Sequence, residues 1–235
     1  MPRISHALVR LAMPSGLLAF WCAMAAAAHA YPGGYDWRYQ TISVLLYSDQ
    51  NPHEYLWAWL GLELCAASAI VWASDLRRRL QKADRSGRAA TLRLLQGGFA
   101  CMCLAVFPDR LLPVPKGHEI LALAAFLGVC IGMMRQLFLA QKGLGGLPSG
   151  APARRLGAAV HWSVPLVPLV LAGITQAYLA LERPEVPWVT PAWRALGIPL
   201  FLSFAVWEWV SCAVFSVCLL LLWQAALPPR EPAPA

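Results

Sequence analysis

The stretch 198–226, IPLFLSFAVWEWVSCAVFSVCLLLLWQAA, is apolar along nearly its whole length and carries one charged residue, Glu208. A helix crosses the hydrocarbon core of a bilayer with about 20 consecutive apolar residues, so this stretch is long enough to span a membrane. Five runs of similar character precede it: 8–30, 55–74, 94–113, 118–141 and 158–181. The sequence therefore predicts an all-α integral membrane protein in which residues 1–227 form one bundle of six transmembrane helices.

The composition separates this chain from soluble proteins. Of its 235 residues, 59% are apolar and 13% are charged, whereas soluble domains contain about 45–50% apolar and about 25% charged residues. These proportions exclude a disordered chain, a secreted disulfide scaffold and an ordinary cytosolic enzyme. The net charge of +7 does not indicate a nucleic-acid partner, because no polar segment is long enough to display a basic surface.

The positions of the basic residues predict the orientation of the helices. Seven of the 19 lysines and arginines lie in the segment 75–93, which is interpreted as a loop between two spans. Most of the others flank alternate spans or lie in the Pro-rich tail 228–235, which cannot continue a helix. Cations concentrate on the cytoplasmic side of membrane proteins, so both termini are predicted to be cytoplasmic.

The first run has a second interpretation. It begins with basic residues and ends in Ala28-His29-Ala30, an A-x-A pattern that also marks cleavage of a signal peptide. The apolar stretch 11–28 is longer than the usual signal core of about 7–15 residues, which favours a retained span. Cleavage after Ala30 would leave five helices.

The cysteine and histidine positions give no indication of a cofactor. All seven cysteines fall within apolar runs, and no C-x-x-C pair occurs. Of the five histidines, only His161 lies inside a predicted span, whereas the others sit at or beyond span boundaries. No H-x-x-x-H pair places two imidazoles one helical turn apart. The sequence therefore predicts neither haem nor zinc, and no metal or other cofactor is expected.

Polar residues that could serve a function cluster at the predicted outer ends of the helices. Glu63 and Glu208 lie inside spans, where a carboxylate is costly unless it is protonated, paired or faces a wet cavity. The loop 31–54, here called the lid loop, is rich in turn-forming and aromatic residues. Its segment 41–47 is predicted to lie as an amphipathic or re-entrant segment on the outer surface. Together these groups predict a polar cavity that opens to the outer leaflet.

The residues of this cavity are assigned to two roles. The predicted binding residues are Asp36, Arg38, His53, Glu54, Glu63 and Glu208. The catalytic candidates are Ser43, Asp109 and His118. Arg38 would meet a phosphate or carboxylate, and His118 or Asp109 would act as acid or base. The alternative is structural, because Asp36 with Arg38 has the spacing of a cap or ion pair, and Asp109 is adjacent to an arginine.

Three motifs resemble the domain-of-unknown-function 998 family. They are YPGGYDxRxxTIS at 31–43, NPHEY at 51–55 and FPDR at 107–110, followed by His118-Glu119 at the head of the next span. That family comprises polytopic membrane proteins of bacteria and archaea, distantly similar to the Frag/DRAM/Sfk group of six-span eukaryotic proteins. The resemblance implies a six-span bundle in a bacterial inner membrane, without a settled activity.

Transferred residue by residue, this resemblance selects positions in and near the lid loop. They are Pro32, Gly33, Tyr35, Arg38, Thr41, Ser43, Pro52, Pro108, Asp109 and His118. At Val44-Leu45-Leu46 the chain lacks the Glu-Leu-Gly-like continuation of the family. A catalytic acid is therefore not expected at that point.

Three functions fit these features. In the first, the protein binds or modifies a lipid head group in the outer cavity. In the second, it moves a proton or small solute by way of Glu63 and Glu208. In the third, it is a non-catalytic scaffold whose basic cytoplasmic loop engages anionic lipid or a protein partner. The first is favoured because the polar groups concentrate at one leaflet instead of tracing a path across the bilayer. Membrane lipids are therefore the expected partners.

Overall fold

The computed structural model describes residues 6–82, 86–105, 117–141, 160–185 and 193–226, and within these ranges the regular structure is entirely helical. Six α-helices follow one another along the described chain: α1 (His6–His29), α2 (Tyr55–Lys82), α3 (Ser86–Ala105), α4 (Gly117–Gln141), α5 (Leu166–Glu182) and α6 (Phe204–Ala226). Short 3-10 helices lie before α2 and α6, at Ile42–Leu45 and Leu200–Leu202.

Four of these helices are long and apolar enough to cross a membrane. Their spanning segments are Leu11–His29, Tyr55–Gln81, Gly117–Leu139 and Phe204–Ala226. Two further apolar helices, Ala89–Ala105 and Leu166–Glu182, are shorter. Helices of this length and composition satisfy their backbone hydrogen bonds internally, as hydrocarbon requires. The chain is therefore a helical integral membrane protein.

One face of α2 fits the thickness of a bilayer. Trp57, Leu64, Val71 and Arg78 lie seven residues apart, and all four side chains are exposed. Positions seven apart share a helix face, and the rise from Trp57 to Arg78 is about 31 Å at ~1.5 Å per residue. The hydrocarbon core of a bilayer is about 30 Å thick, so the distance along this face from the tryptophan to the arginine matches the thickness of that core.

The described residues pack as two compact units. The first comprises the described parts of 1–16, 65–164 and 217–235, and the second comprises 17–64 with the described parts of 165–216. The first unit contains α3, α4 and most of α2. The second contains the lid loop, α5 and the first half of α6. Each unit is described below by itself.

In the first unit, α3 and α4 approach so closely that side chains larger than glycine do not fit at three positions. A methyl group added at Gly98 would lie 2.5 Å from the backbone nitrogen of Val129, and one at Gly128 would lie 2.9 Å from Gly98 Cα. At Gly132 the added group would lie 2.8 Å from the backbone nitrogen of Leu95. Small residues allow membrane helices to gain dispersion energy through close backbone contact.

Hydrogen bonds between side chains also tie α3 to its neighbours in the first unit. The side-chain amide of Gln136 in α4 donates to the Thr91 hydroxyl of α3, and both residues are buried. The Gln96 amide of α3 donates to the Ser74 hydroxyl of α2 at 2.6 Å. Arg77 Nη1 of α2 donates to Gln96 Oε1 at 3.1 Å. Such bonds determine which helix faces meet, because hydrocarbon offers no competing partner.

In the second unit, α1, α2 and α6 meet around small and aromatic residues. A methyl group added at Gly61 of α2 would overlap the side chain of Ala23 in α1. Trp21 Nε1 of α1 donates to the Ser216 hydroxyl of α6 at 3.1 Å, and its ring centre lies 5.9 Å from that of Trp209. These contacts hold α6 beside α1 in the part of α6 that carries Glu208.

A buried cluster joins α5 to the segment that precedes α6. It consists of Leu179, Trp193, Ile198 and Ala205, and Tyr39 of the lid loop packs against it. Trp193 is fully buried. Arg194, the residue that follows Trp193, is thereby positioned next to the lid loop.

The basic segment 75–93 is helical over most of its length, which differs from its interpretation as a loop. Only residues 83–85 separate α2 from α3, and they lie outside the described residues. Arg, Leu, Gln and Lys all favour helix, and Asp75 lies 2.9 Å from Arg79 one turn later. Charged residues thus extend both helices beyond their apolar stretches, which hydropathy alone does not reveal.

One further expectation differs from the structure. His161 does not lie in a span but in an exposed turn before α5, where its ring is 2.7 Å from the Ser163 hydroxyl. Pro165 precedes the first residue of α5, a place where its missing amide costs nothing. The segment 41–47, which is predicted to be amphipathic or re-entrant, contains the 3-10 helix Ile42–Leu45, whose Ile42, Val44 and Leu45 side chains are buried.

We expect Gly98→Ala to destabilise the protein and Gly97→Ala to leave it unchanged or slightly more stable. At Gly98 the added methyl group meets the backbone of α4, and such overpacking costs about 1–3 kcal/mol. Nothing lies within 4 Å of a methyl group added at Gly97. The measurement is the thermal unfolding midpoint of both variants in the same detergent. Equal midpoints would contradict the close packing of α3 on α4.

Candidate functional site

A glycine turn directs the lid loop against α6. Gly33 and Gly34 have φ angles of 77° and 89°, and the Gly34 amide donates to the Tyr31 carbonyl oxygen at 3.0 Å. Glycine adopts this left-handed backbone at little cost. The chain then brings Tyr35 to α6, where its ring centre lies 6.1 Å from that of Trp209 in an edge-to-face arrangement.

The Tyr35 hydroxyl links α6 to the backbone of the lid loop. It accepts a hydrogen bond from Trp209 Nε1 at 3.0 Å. It lies within donating distance of the carbonyl oxygens of Gln40 (2.8 Å) and Thr41 (3.1 Å). Burial raises the pKa of Tyr35 well above its ordinary value. The hydroxyl therefore stays protonated and keeps its role as a donor.

The Glu208 carboxylate anchors the buried 3-10 helix of the lid loop to α6. Its Oε2 atom accepts a hydrogen bond of 2.7 Å from the amide of Ile42, the first residue of that helix. The first amides of a helix have no partner within it, and a carboxylate is a strong acceptor for them. The preceding residue, Thr41, makes no capping bond. Glu208 therefore supplies the cap from a distant helix.

Other polar side chains of this segment bond within the lid loop. Ser43 Oγ and Thr41 Oγ1 lie 2.8 Å apart. Asn51, which is fully buried, donates from Nδ2 to the Leu45 carbonyl oxygen at 3.2 Å. A nucleophilic serine needs a base beside its hydroxyl, whereas this hydroxyl faces another hydroxyl. The described contacts of Ser43 therefore do not make an activated nucleophile.

Asp36 is the centre of a charged turn at the exposed edge of the lid loop. Its Oδ1 atom accepts from the backbone amide of Arg38 at 3.2 Å, and its Oδ2 atom accepts from Arg194 Nη1 at 3.1 Å. Its own amide donates to Gln40 Oε1 at 2.6 Å. Both carboxylate oxygens are engaged, as expected for the structural alternative in which Asp36 holds the loop in place.

Two guanidinium groups are exposed around this turn. The Arg194 side chain is 74% exposed despite its bond to Asp36. Arg38 is exposed, and its guanidinium carbon lies 5.9 Å from the ring centre of Trp37. Among the described residues, Arg38 forms no ion pair. The turn therefore carries more positive than negative charge, and most of its guanidinium donors are open to solvent.

The other predicted binding residues lie along the start of α2. His53 is exposed, and Glu54 is half-buried, with its carbonyl oxygen accepting from the amides of Trp57 and Ala58. Glu63 is half-buried, and its Oε1 atom is buried without a hydrogen-bond partner among the described residues. A carboxylate in such a place is costly unless it is protonated or binds a ligand.

The remaining catalytic candidates belong to the first unit or lie outside the described residues. Asp109 and Pro108 fall in the segment that the structure does not describe. His118, in the first turn of α4, has its Nδ1 atom 2.8 Å from the Ala105 carbonyl oxygen at the end of α3. Because a carbonyl oxygen only accepts, Nδ1 carries the proton. The ring thus ties two helix ends together.

Three residues that organise the site were not identified from the sequence as functional: Gln40, Arg194 and Trp209. Arg194 lies 158 positions from its partner Asp36, and Trp209 lies 174 positions from Tyr35. Local spacing reveals no pairs at such separations. The one available signal was the Trp-Glu-Trp sequence within a span, which marks an unusual environment for a carboxylate.

Comparisons with known proteins provide no assignment. The chain matches no protein-family model, no curated protein and no solved structure. Across the described ranges, no three or more His, Cys, Asp or Glu side chains are grouped so that they could hold a metal ion. The charges and hydrogen bonds of the lid loop are therefore the basis for a functional assignment.

We expect Glu208→Leu to release the 3-10 helix of the lid loop and Glu208→Gln to keep it in place. Leucine removes the acceptor of the Ile42 amide, and a buried donor without an acceptor costs about 1–3 kcal/mol. Glutamine retains a side-chain oxygen. Hydrogen–deuterium exchange in detergent should be at least about fivefold faster at Ile42 in the leucine variant. Unchanged exchange there would mean that other contacts hold the loop.

Proposed function

We propose that this protein binds the head group of an anionic lipid at the outer surface of a bacterial inner membrane. In this proposal the lipid phosphate is held by Arg38 of the lid loop and by Arg194, which lies shortly before α6. The resemblance of the lid-loop motifs to the domain-of-unknown-function 998 family agrees with a membrane role and suggests no reaction.

The observation that carries the proposal is the excess of exposed guanidinium groups around Asp36. This single carboxylate bonds Arg194, and Arg38 has no ion pair among the described residues. A guanidinium offers five donors in a planar fork that fits the oxygens of a phosphate. A lipid phosphate would supply the acceptors and the negative charge that one aspartate does not provide.

Aromatic residues around the arginines support a position at the membrane interface. Trp37 and Trp57 are both exposed, and tryptophan is enriched where the hydrocarbon meets the head groups. The Arg38 guanidinium lies over Trp37. A phosphate bound to Arg38 would therefore lie at the level of the head groups and not among the acyl chains.

Binding of the lipid is better supported than its modification. Ser43 lies beside another hydroxyl instead of a base, and Glu208 already accepts the Ile42 amide. A hydrolytic role would have to draw on Asp109, which lies outside the described residues.

We further propose that the chain crosses the membrane six times, with both termini in the cytoplasm. The two additional crossings would be α3 and α5. The 17 residues of α5 rise about 25 Å at ~1.5 Å per residue, and a bilayer thins around a short helix at modest cost. The orientation is supported by α2, which runs from an aromatic end at Trp57 to a basic end at Arg78.

We expect the lid loop and the α2–α3 connection to be reached from opposite sides of the membrane. A membrane-impermeant maleimide should label Asp49→Cys in intact cells and Gln81→Cys only after permeabilisation. Both positions are exposed, and the native chain, whose cysteines all lie in helices, is the control. Labelling of Gln81→Cys in intact cells would reverse the proposed orientation.

We expect Arg38→Ala combined with Arg194→Ala to lower the affinity of this site for phosphatidylglycerol at least about tenfold, so that one retained lipid is lost. A hydrogen bond to a charged group contributes about 1.5–3 kcal/mol, and the variant loses several. Native mass spectrometry of the full chain in detergent counts the retained lipids. The matched control is Arg183→Ala, which removes an exposed arginine of the same unit that is paired with Glu185 and should retain lipid as the native chain does.

Unchanged lipid retention in the double variant would overturn head-group binding at this turn. The unpartnered Oε1 atom of Glu63 favours the alternative, which is transport of a proton or small solute. That alternative would replace the proposal if Glu63→Gln abolished proton-driven flux in proteoliposomes while the double variant left lipid retention intact.

A further inference from the structure

We propose that the ends of α2 and α3 that face each other across residues 83–85 form a second lipid site. Arg78 and Arg93 bind the phosphate of an anionic phospholipid there. Its acyl chains lie along Val71 and Leu94. This surface belongs to the first unit and uses none of the residues of the lid loop. The second site therefore does not depend on the head-group site proposed above.

Positive charge at the end of α2 exceeds what the neighbouring carboxylate neutralises. Asp75 Oδ2 lies 2.9 Å from Arg79 Nε, whereas Asp75 Oδ1 lies 3.8 Å from Arg78 Nη2, beyond hydrogen-bonding distance. Arg79 Nη1 also donates to the Ala226 carbonyl oxygen at the end of α6 at 3.2 Å. Arg79 is thus used by the fold, while the Arg78 side chain is 59% exposed and has donors available for a ligand.

A hydrogen-bonded network brings basic residues of the two helices together. Gln96 of α3 bonds both Ser74 and Arg77 of α2. Arg93 is exposed and lies three residues before Gln96, a spacing that makes the two side chains neighbours on the surface of α3. Arg77 and Arg93 therefore share Gln96 as a common neighbour. The positive charges of Arg77 and Arg93, which are 16 positions apart in the sequence, therefore lie on either side of one glutamine in the fold.

An exposed apolar surface continues from these arginines toward the middle of the helices. Val71 lies two turns before Arg78 on the same face of α2, and Leu94 follows Arg93 on α3. Both apolar side chains are exposed. Basic residues above an apolar helix surface match the order of groups in a phospholipid, in which the phosphate lies above the acyl chains.

The combination of charge and apolar surface selects an anionic phospholipid among phosphate compounds. Inorganic phosphate would bond the arginines but would gain nothing from Val71 and Leu94. Phosphatidylcholine has the acyl chains and the phosphate, but its quaternary ammonium cancels the attraction to a surface with excess positive charge. Phosphatidylglycerol has the chains and a net negative charge, so it is the appropriate probe.

The test is competition between phosphatidylglycerol and phosphatidylcholine with identical acyl chains, measured by native mass spectrometry of the full chain in detergent. The native chain should retain the anionic lipid at least about fivefold better. Arg78→Gln combined with Arg93→Gln should lower the affinity of this site for phosphatidylglycerol about tenfold, so that one retained phosphatidylglycerol is lost, and should leave the retention of phosphatidylcholine unchanged. Equal retention of both lipids by the native chain would overturn the proposal.

Two controls separate a site from diffuse charge. Arg135→Gln combined with Arg183→Gln removes the same two charges from exposed arginines elsewhere and should retain lipid as the native chain does. An equal loss in this control would overturn the proposal, as would displacement of phosphatidylglycerol by inorganic phosphate at comparable concentration. Arg78→Gln alone repeats the comparison with a single exposed residue if the double variant fails to fold.

The two proposed lipid sites are separable in the same measurement. The double variant of Arg38 and Arg194 should lose one retained phosphatidylglycerol, and that of Arg78 and Arg93 should lose another. The variant with all four substitutions should lose both. If only the substitutions at Arg38 and Arg194 reduce the count, the second site is wrong and the head-group site stands. If only the substitutions at Arg78 and Arg93 reduce the count, the head-group site is wrong and the second site stands.

Discussion

Hydrocarbon supplies no hydrogen-bond partner for the polar groups of a protein, and this constraint acts on every element of the structure. The backbone meets it by forming helices in the membrane-crossing segments. Serine hydroxyls meet it locally, since Ser211 and Ser216 each donate to the carbonyl oxygen one turn earlier. Gln96 and Gln136 meet it by bonding side chains of neighbouring helices. Polar side chains of the helices thus bond either their own backbone or a neighbouring helix.

The same constraint explains why the lid loop is ordered around a carboxylate. A 3-10 helix buried beside α6 has a first amide without a partner, and Glu208 supplies the acceptor. Glu208, which the sequence predicts to be a binding residue, thereby holds the loop in place. The groups available to a ligand are the guanidinium donors of Arg38 in the loop and of Arg194 beside it, and this is why a phosphate fits the surface better than a cation does.

Run length and composition were sufficient to predict a helical membrane protein, because the free energy of placing a segment in hydrocarbon depends mainly on its own side chains. The same reasoning misjudged the segment 75–93. Hydropathy reports where a helix leaves the hydrocarbon and not where it ends, and Arg, Leu and Lys have a high helix propensity in water. The attachment of the lid-loop segment 41–47 to α6 was also not predicted, since it depends on the bond between Ile42 and Glu208.

The sequence was enough to locate the apolar helices and to select the polar residues worth examining, including Asp36, Arg38 and Glu208, because these are local properties of the chain. Which of those residues bind each other depended on the tertiary structure. Glu208 lies 166 positions from Ile42, and Asp36 lies 158 positions from Arg194. Partners at such separations are set by how the helices pack, and helix packing follows from side-chain shapes along whole faces, which residue spacing does not encode.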